Sequence, residues 1–149
     1  MYKKILVPTD GSEPSRNALR HAVRIARMSQ GKILLLHITF TPQSYWGNNL
    51  AYGLNISEKE LRELGKSAIN ETIEDIDYTD IQISSEVTSG SPWQKIIETA
   101  AHENPDLIIM GSSGHGPFKG ALLGSVSQRV LAKAACPVMV VKHPKYLPE

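Results

Sequence analysis

Short apolar runs and helical stripes of apolar residues take turns along this chain. Ile5-Leu-Val7 is a brief apolar run closed by Pro8, the pattern of a short buried strand. Asp10-Gly11 predicts a turn, and Ser12 an N-cap, with Glu13 and Pro14 in the first turn of a helix. Ala18, Leu19, Ala22, Val23 and Ala26 recur at helical spacing, and Gly31 predicts the stop. Ile33 to Ile38 reads as a second buried strand. The result is a β-α-β unit, which normally closes right-handed with parallel strands.

Thr39 to Ile56 follows as a long connection carrying Tyr45, Trp46 and Tyr52, aromatics that suit a cap over a ligand or local packing. Ser57-Glu-Lys-Glu60 is a capping box. The helix behind it has an apolar stripe of Leu61, Leu64, Ala68, Ile69, Thr72, Ile73 and Ile76. Ile81 to Val87 alternates as a strand with one wet face, hence an edge. Ser91-Pro-Trp-Gln94 has the form of a second capping box with Pro at N1, and Ile96, Ile97 and Ala100 continue its helix to Asn104-Pro105. Leu107 to Met110 is a further buried strand, a helix starts near Ser125, and Val138 to Val141 forms the last strand. The alternation predicts one domain over residues 1–149, an α/β, Rossmann-like fold with a single doubly wound, open, parallel five-stranded sheet and helices on both faces.

Composition narrows the setting. Among the 149 residues no run approaches the ~20 apolar residues of a membrane span. Charges at the start pass straight into a strand, so no signal peptide is expected. The single cysteine, Cys136, precludes an internal disulfide and suits a reducing cytoplasm; its expected role is as a small buried residue. The five histidines lack metal-ligand spacing. Net charge is +1, yet Leu107 to Pro148 has no acid and five bases, Lys119, Arg129, Lys133, Lys142 and Lys145. Such a bias favours an anionic ligand or is a chance run of solvated side chains. Near-neutral overall charge argues against nucleic acid.

The candidate chemistry lies between the fourth strand and the last helix. Five glycines, Gly111, Gly114, Gly116, Gly120 and Gly124, occupy the connection. A strand, a glycine loop and a helix start together offer unpaired N–H groups to phosphate. No Gly-Lys-Ser/Thr ending is present, which excludes the nucleoside-triphosphatase P-loop, and the spacing after Gly114-His-Gly116 fails the dinucleotide fingerprint. What stands instead is Gly111, two residues, Gly114, nine residues, then Gly124-Ser125.

That spacing resembles the ATP-binding signature of the universal stress protein family. The opening Lys3-Lys-Ile-Leu-Val-Pro-Thr-Asp-Gly-Ser12 and the closing Cys136-Pro-Val-Met-Val-Val141 resemble the same family, so the likeness spans the chain. It implies ATP as ligand, with or without magnesium or manganese. The ribose would lie at Asp10, whose alternative role is capping the adjacent turn, with Pro8 and Thr9 shaping the same wall. The adenine would meet the backbone of Ile38. Gly111 and Gly114 would turn the chain sharply under the phosphates, with Ser112 as a further binding residue, and Gly124, Ser125, Val126 and Ser127 would present helix-start amides and two hydroxyls. A plain N-cap is the alternative role of Ser125. Met110 would line the base or ribose side, with core packing as its alternative role. His115 and Lys119 lie within the loop, where they would either neutralise phosphate or, the favoured expectation, form a solvated tip.

Val138 to Val141 is apolar on both faces, so something must cover it or another chain must pair with it. The resemblance implies the second, a homodimer through this strand. Three functions are open: an ATP-binding regulatory module acting on protein partners, a slow ATP hydrolase or phosphotransferase, and a stress-response dimer that binds no nucleotide. Hydrolysis needs a positioned base and cation ligands, for which only His115 is a tip candidate. The glycine signature weighs against the third reading, so the sequence favours the binding module, at most a weak ATPase.

Overall fold

The computed structural model describes residues 1–39, 57–112 and 123–142. Tyr45, Trp46, Tyr52, Gly114, His115 and Lys119 lie outside the described residues. Among the described residues nine elements alternate in order: β1 (Lys4–Thr9), α1 (Glu13–Ser29), β2 (Lys32–Thr39), α2 (Glu58–Ile73), β3 (Ile83–Ser89), α3 (Pro92–Glu103), β4 (Leu107–Gly111), α4 (Ser125–Lys133) and β5 (Val138–Val141). All strand pairs are parallel, and the sheet runs β3-β2-β1-β4-β5.

The chain steps outward from β1 to β3, then crosses back to β4 and steps outward again to β5. With crossovers of one hand, a reversal of direction puts the later helices on the opposite face. Two cores result. Ile5, Val7, Ile33, Leu35, Leu107 and Ile109 pack under α1 and α2, whereas Leu6, Leu34, Leu36, Ile108 and Met110 pack with Ile96 of α3 and Val130 of α4. The inner strands are apolar at consecutive positions because both of their faces are covered. On α1 the fully buried Ala18, Ala22 and Ala26 let the helix approach the sheet closely. At the amino ends of the strands Asp106 Oδ2 accepts from the N–H groups of Lys3 and Lys4, both at 2.9 Å, holding β1 and β4 in register.

Several local expectations change. Pro8 does not end β1 but lies within it. The left-handed residue after α1 is Gln30 (φ 54°), and Gly31 N–H donates to Ala26 O. Ser57 caps α2, its Oγ accepting from Glu60 N–H at 3.2 Å. The helix ends at Ile73, so Ile76 packs on the core from the following turn, after Asp75 at φ 63°. The third strand starts at Ile83 rather than Ile81. It is an edge, but Ser84, Ser85 and Glu86 are exposed in succession, so strict alternation fails where one side lacks a neighbouring strand. Ser91 makes no side-chain capping bond, so the second capping box does not form.

Gly65 in α2 is a packing requirement. A Cβ there would stand 2.3 Å from Val87 Cγ1 and 3.2 Å from His37 Cδ2. In an exposed helix Gly to Ala gains up to about 1 kcal/mol. Overpacking commonly costs about 1–3 kcal/mol. Gly65→Ala is therefore expected to lower the chemical-denaturation midpoint, and a raised midpoint would contradict this close approach of α2 to the sheet.

Candidate functional site

The strand order reverses between β1 and β4, where open α/β sheets form a crevice at their carboxyl ends. Lys3 O accepts from Lys32 N–H on the β2 side and Lys4 O from Asp106 N–H on the β4 side, so alternate residues of β1 face alternate neighbours. Pro8 falls in the set facing β4. The β1–β2 ladder runs to Thr9 with His37, but the β1–β4 ladder ends at Leu6 with Ile108. Extending it to Val7 with Ile109 would require a donor from residue 8, and proline has none. The crevice opens where that donor is missing. On its other wall Ile108 and Ser112 donate to the β5-side carbonyls of Pro137 and Val141, so Gly111 faces the crevice. Ile38 lies one residue past the last β1 partner, and its backbone belongs to the set facing β1.

Two helices start at this crevice, and their ends are treated oppositely. At α1, Asp10 Oδ1 accepts from Ser12 N–H at 3.0 Å and Ser15 Oγ–H at 2.8 Å, and Glu13 stands in the first turn. The capping role of Asp10 is thus present in the structure. At α4 the N-cap is Gly124, not Ser125, and among the described residues neither a side-chain cap nor a first-turn acid is present. The amides of Ser125 to Ser127 keep their partial positive charge. Gly124 N–H donates to Ser112 O at 2.7 Å, tying the start of α4 to the residue after β4.

The glycine and serine roles differ from expectation. Gly111 makes no sharp turn: it ends β4 without a positive φ. Its missing Cβ admits α1 instead, because a Cβ would lie 2.8 Å from Pro14 Cβ and 2.9 Å from the Pro14 carbonyl carbon. The positive φ belongs to Gly11, at 81°. Ser127 Oγ donates to Gly111 O at 3.0 Å and is buried, so its hydroxyl straps α4 to β4 rather than facing outward; Ser125 is exposed. Ser112 is buried, and Met110 belongs to the core. Thr9 is buried too, its hydroxyl bonded to Thr72 of α2 at 2.7 Å and its carbonyl to His37 Nδ1 at 2.8 Å. Sequence reasoning placed Pro14 only in the first turn of a helix, and assigned no role to Ser15, His37 or the Thr72 hydroxyl. The signals were a histidine inside an apolar strand and a threonine inside an apolar stripe.

Arg129 and Lys133, two of the five bases in the acid-free stretch, share one aromatic partner. They lie over the Trp93 ring, 5.4 and 5.5 Å from its centroid. Cys136, expected as a small buried residue, is half-buried against the second core, and that burial pushes its thiol up from its ordinary value. Among the described residues no three His, Cys, Asp or Glu side chains gather to hold a metal ion, and no helix is long and apolar enough to cross a membrane.

Comparison with known proteins agrees with this architecture. The family model for the universal stress protein family matches residues 1–142. Universal stress protein MJ0531 of Methanocaldococcus jannaschii is 34% identical over 145 residues, covering 97% of this chain and 85% of that protein. Universal stress protein MJ0577 of the same organism is 33% identical over 156 residues, covering 96% of each. The solved structure of MJ0577 superposes with a TM-score of 0.78, over 95% of this chain and 96% of that one. A universal stress protein solved in complex with cAMP, 27% identical, superposes with a TM-score of 0.61 over 95% of this chain and 98% of that one. The family match over residues 1–142, with relatives 33–34% identical across almost the whole length, makes this chain a member of the universal stress protein family.

Proposed function

We propose that this protein is an adenine-nucleotide-binding regulatory module, with ATP as its ligand, working as a homodimer in the cytoplasm. The observation that carries the reading is the contrast between the two helix starts in one crevice. The α1 start is capped by Ser12, whose Oγ accepts from Ser15 N–H, and has the carboxylates of Asp10 and Glu13 beside it, so it repels phosphate. The α4 start, beside the glycine-bearing segment, has no acid and no side-chain cap among the described residues, so it attracts phosphate. A nucleotide is polar in the same sense, with hydroxyl donors in its middle and anionic charge at one end. Its ribose would meet the Asp10 carboxylate, beside Pro8 and Thr9, and its phosphates the amides of Gly124, Ser125, Val126 and Ser127. Its adenine would meet the backbone of Ile38 beyond the end of β1. Gly111, Ser112 and Met110 form the β4 wall, and Gly114 belongs to the phosphate segment. A relative solved with cAMP supports an adenine nucleotide in this fold.

The dimer reading rests on β5. Among the described residues it pairs with β4 alone and is the last strand of the sheet, and Met139 on it is 37% exposed, so its other edge is available to a second chain. Antiparallel pairing with a second copy would satisfy it.

Three outcomes are expected. Calorimetry on dialysed protein should show Mg-ATP binding at about micromolar affinity, roughly −8 kcal/mol. Asp10→Asn, which keeps an acceptor for the α1 cap, should weaken it, and Gly114→Val should weaken it further by restricting φ and filling phosphate space. No heat at millimolar ATP would refute the site. ATP turnover should stay at or below ~1 per second, the low end of ordinary enzymes; fast, Mg-dependent hydrolysis lost in His115→Ala would make this an enzyme. Sedimentation should give a wild-type dimer at tens of micromolar and a monomer for Val140→Lys, whereas a wild-type monomer would exclude pairing through β5.

A further inference from the structure

The β1–α1 turn that carries Asp10 rests on α2 through buried hydroxyl groups. Thr72 is fully buried, and its Oγ1 lies 2.6 Å from Ala68 O, to which it donates. That use of its only hydrogen fixes the next link: Thr9 Oγ1–H must donate to Thr72 Oγ1 at 2.7 Å. Thr9 Oγ1 in turn accepts from Gly11 N–H at 3.1 Å. The relay therefore runs one way, from Gly11 N–H through Thr9 and Thr72 to the backbone of α2. His37 Nδ1–H donates to Thr9 O at 2.8 Å, which fixes its tautomer and pins the same residue from β2. Gly11, at φ 81°, fits this arrangement because a Cβ there would touch Ala68 at 3.5 Å and Glu71 Oε2 at 3.1 Å. Asp10 is thus bracketed: the residues on either side are tied to α2, and its own Oδ1 is tied to Ser12 and Ser15 of α1.

We infer that Thr72 is a positioning residue for the nucleotide site, setting the Thr9–Gly11 turn and hence the Asp10 carboxylate without touching the ligand. The inference rests on the nucleotide reading above and extends the site to a helix on the far side of the turn. It makes the seating of α2 a control on ribose binding, because a shift of α2 reaches the turn through the 2.7 Å Thr72–Thr9 hydrogen bond and the Gly11 N–H bond that follows it.

The test compares Thr72→Val, which keeps the shape and removes the hydroxyl, with Thr72→Ser, which restores it. Full-length protein is titrated with Mg-ATP by calorimetry, and amide hydrogen exchange of Gly11 and Ser12 is followed by NMR without ligand. A lost hydrogen bond of ordinary strength predicts about a tenfold weaker affinity for Thr72→Val. Faster exchange at Gly11 and recovery of both readouts in Thr72→Ser are expected with it. In an Asp10→Asn background Thr72→Val should cost nothing further, since its effect passes through Asp10. Wild-type affinity in Thr72→Val, or an additive loss in the double variant, overturns the positioning role while leaving nucleotide binding intact. Unchanged Gly11 exchange overturns the relay whether or not ATP binds. Absence of wild-type binding, with the exchange change present, overturns the nucleotide reading alone.

Discussion

The functional end of this molecule depends on a hydrogen-bond donor that residue 8 does not have. β1 is central, and a proline in a central strand normally breaks a ladder. Here it falls on the side facing β4, past Leu6 with Ile108, so pairing on the β2 side continues to Thr9 while pairing on the β4 side stops. The two strands part at the switch point, and the crevice follows. A residue with an N–H at this position would extend the ladder by one pair and close the gap from below.

Two helix starts then enter the gap, and small side chains decide how closely they do so. Gly111 lets the first turn of α1 come against the end of β4, and Ser127 ties the first turn of α4 to the same strand end. Charge separates them. Asp10 and Glu13 answer the partial positive charge at α1, while α4 begins at a glycine with no acid nearby among the described residues. The crevice therefore has an electrically neutralised side and a positive side. That asymmetry would orient a ligand that carries its charge at one end.

The sheet ties this end of the molecule to elements remote from it. Thr9 has its flanking peptide groups in β1, its carbonyl bonded to a β2 histidine and its hydroxyl bonded to an α2 threonine. Gly65 brings α2 near enough to the sheet for that contact, since any larger residue would meet Val87 and His37. Core packing and site geometry share these residues, so a substitution in α2 acts on both.

Much of the fold was legible in the chain. Apolar runs at Ile5, Ile33, Leu107 and Val138 and the stripe through Ala18 to Ala26 specify which segments are strands and helices, because burial on two faces or one imposes a local period. The spacing of Gly111, Gly114 and Gly124-Ser125 marked the region between β4 and α4. Residue type did not reveal what each group is bonded to. Ser91 matches a capping pattern and makes no capping bond; Ser127 looks like a ligand donor and donates to Gly111 O; Thr72 sits in an apolar stripe and carries a buried relay. Local periodicity is fixed by neighbours a few residues away, which is why the elements and their order could be read along the chain. The partner of a hydroxyl or the side a proline faces depends on strands and helices brought together from distant parts of the chain, so these emerge only once the sheet and its helices are assembled.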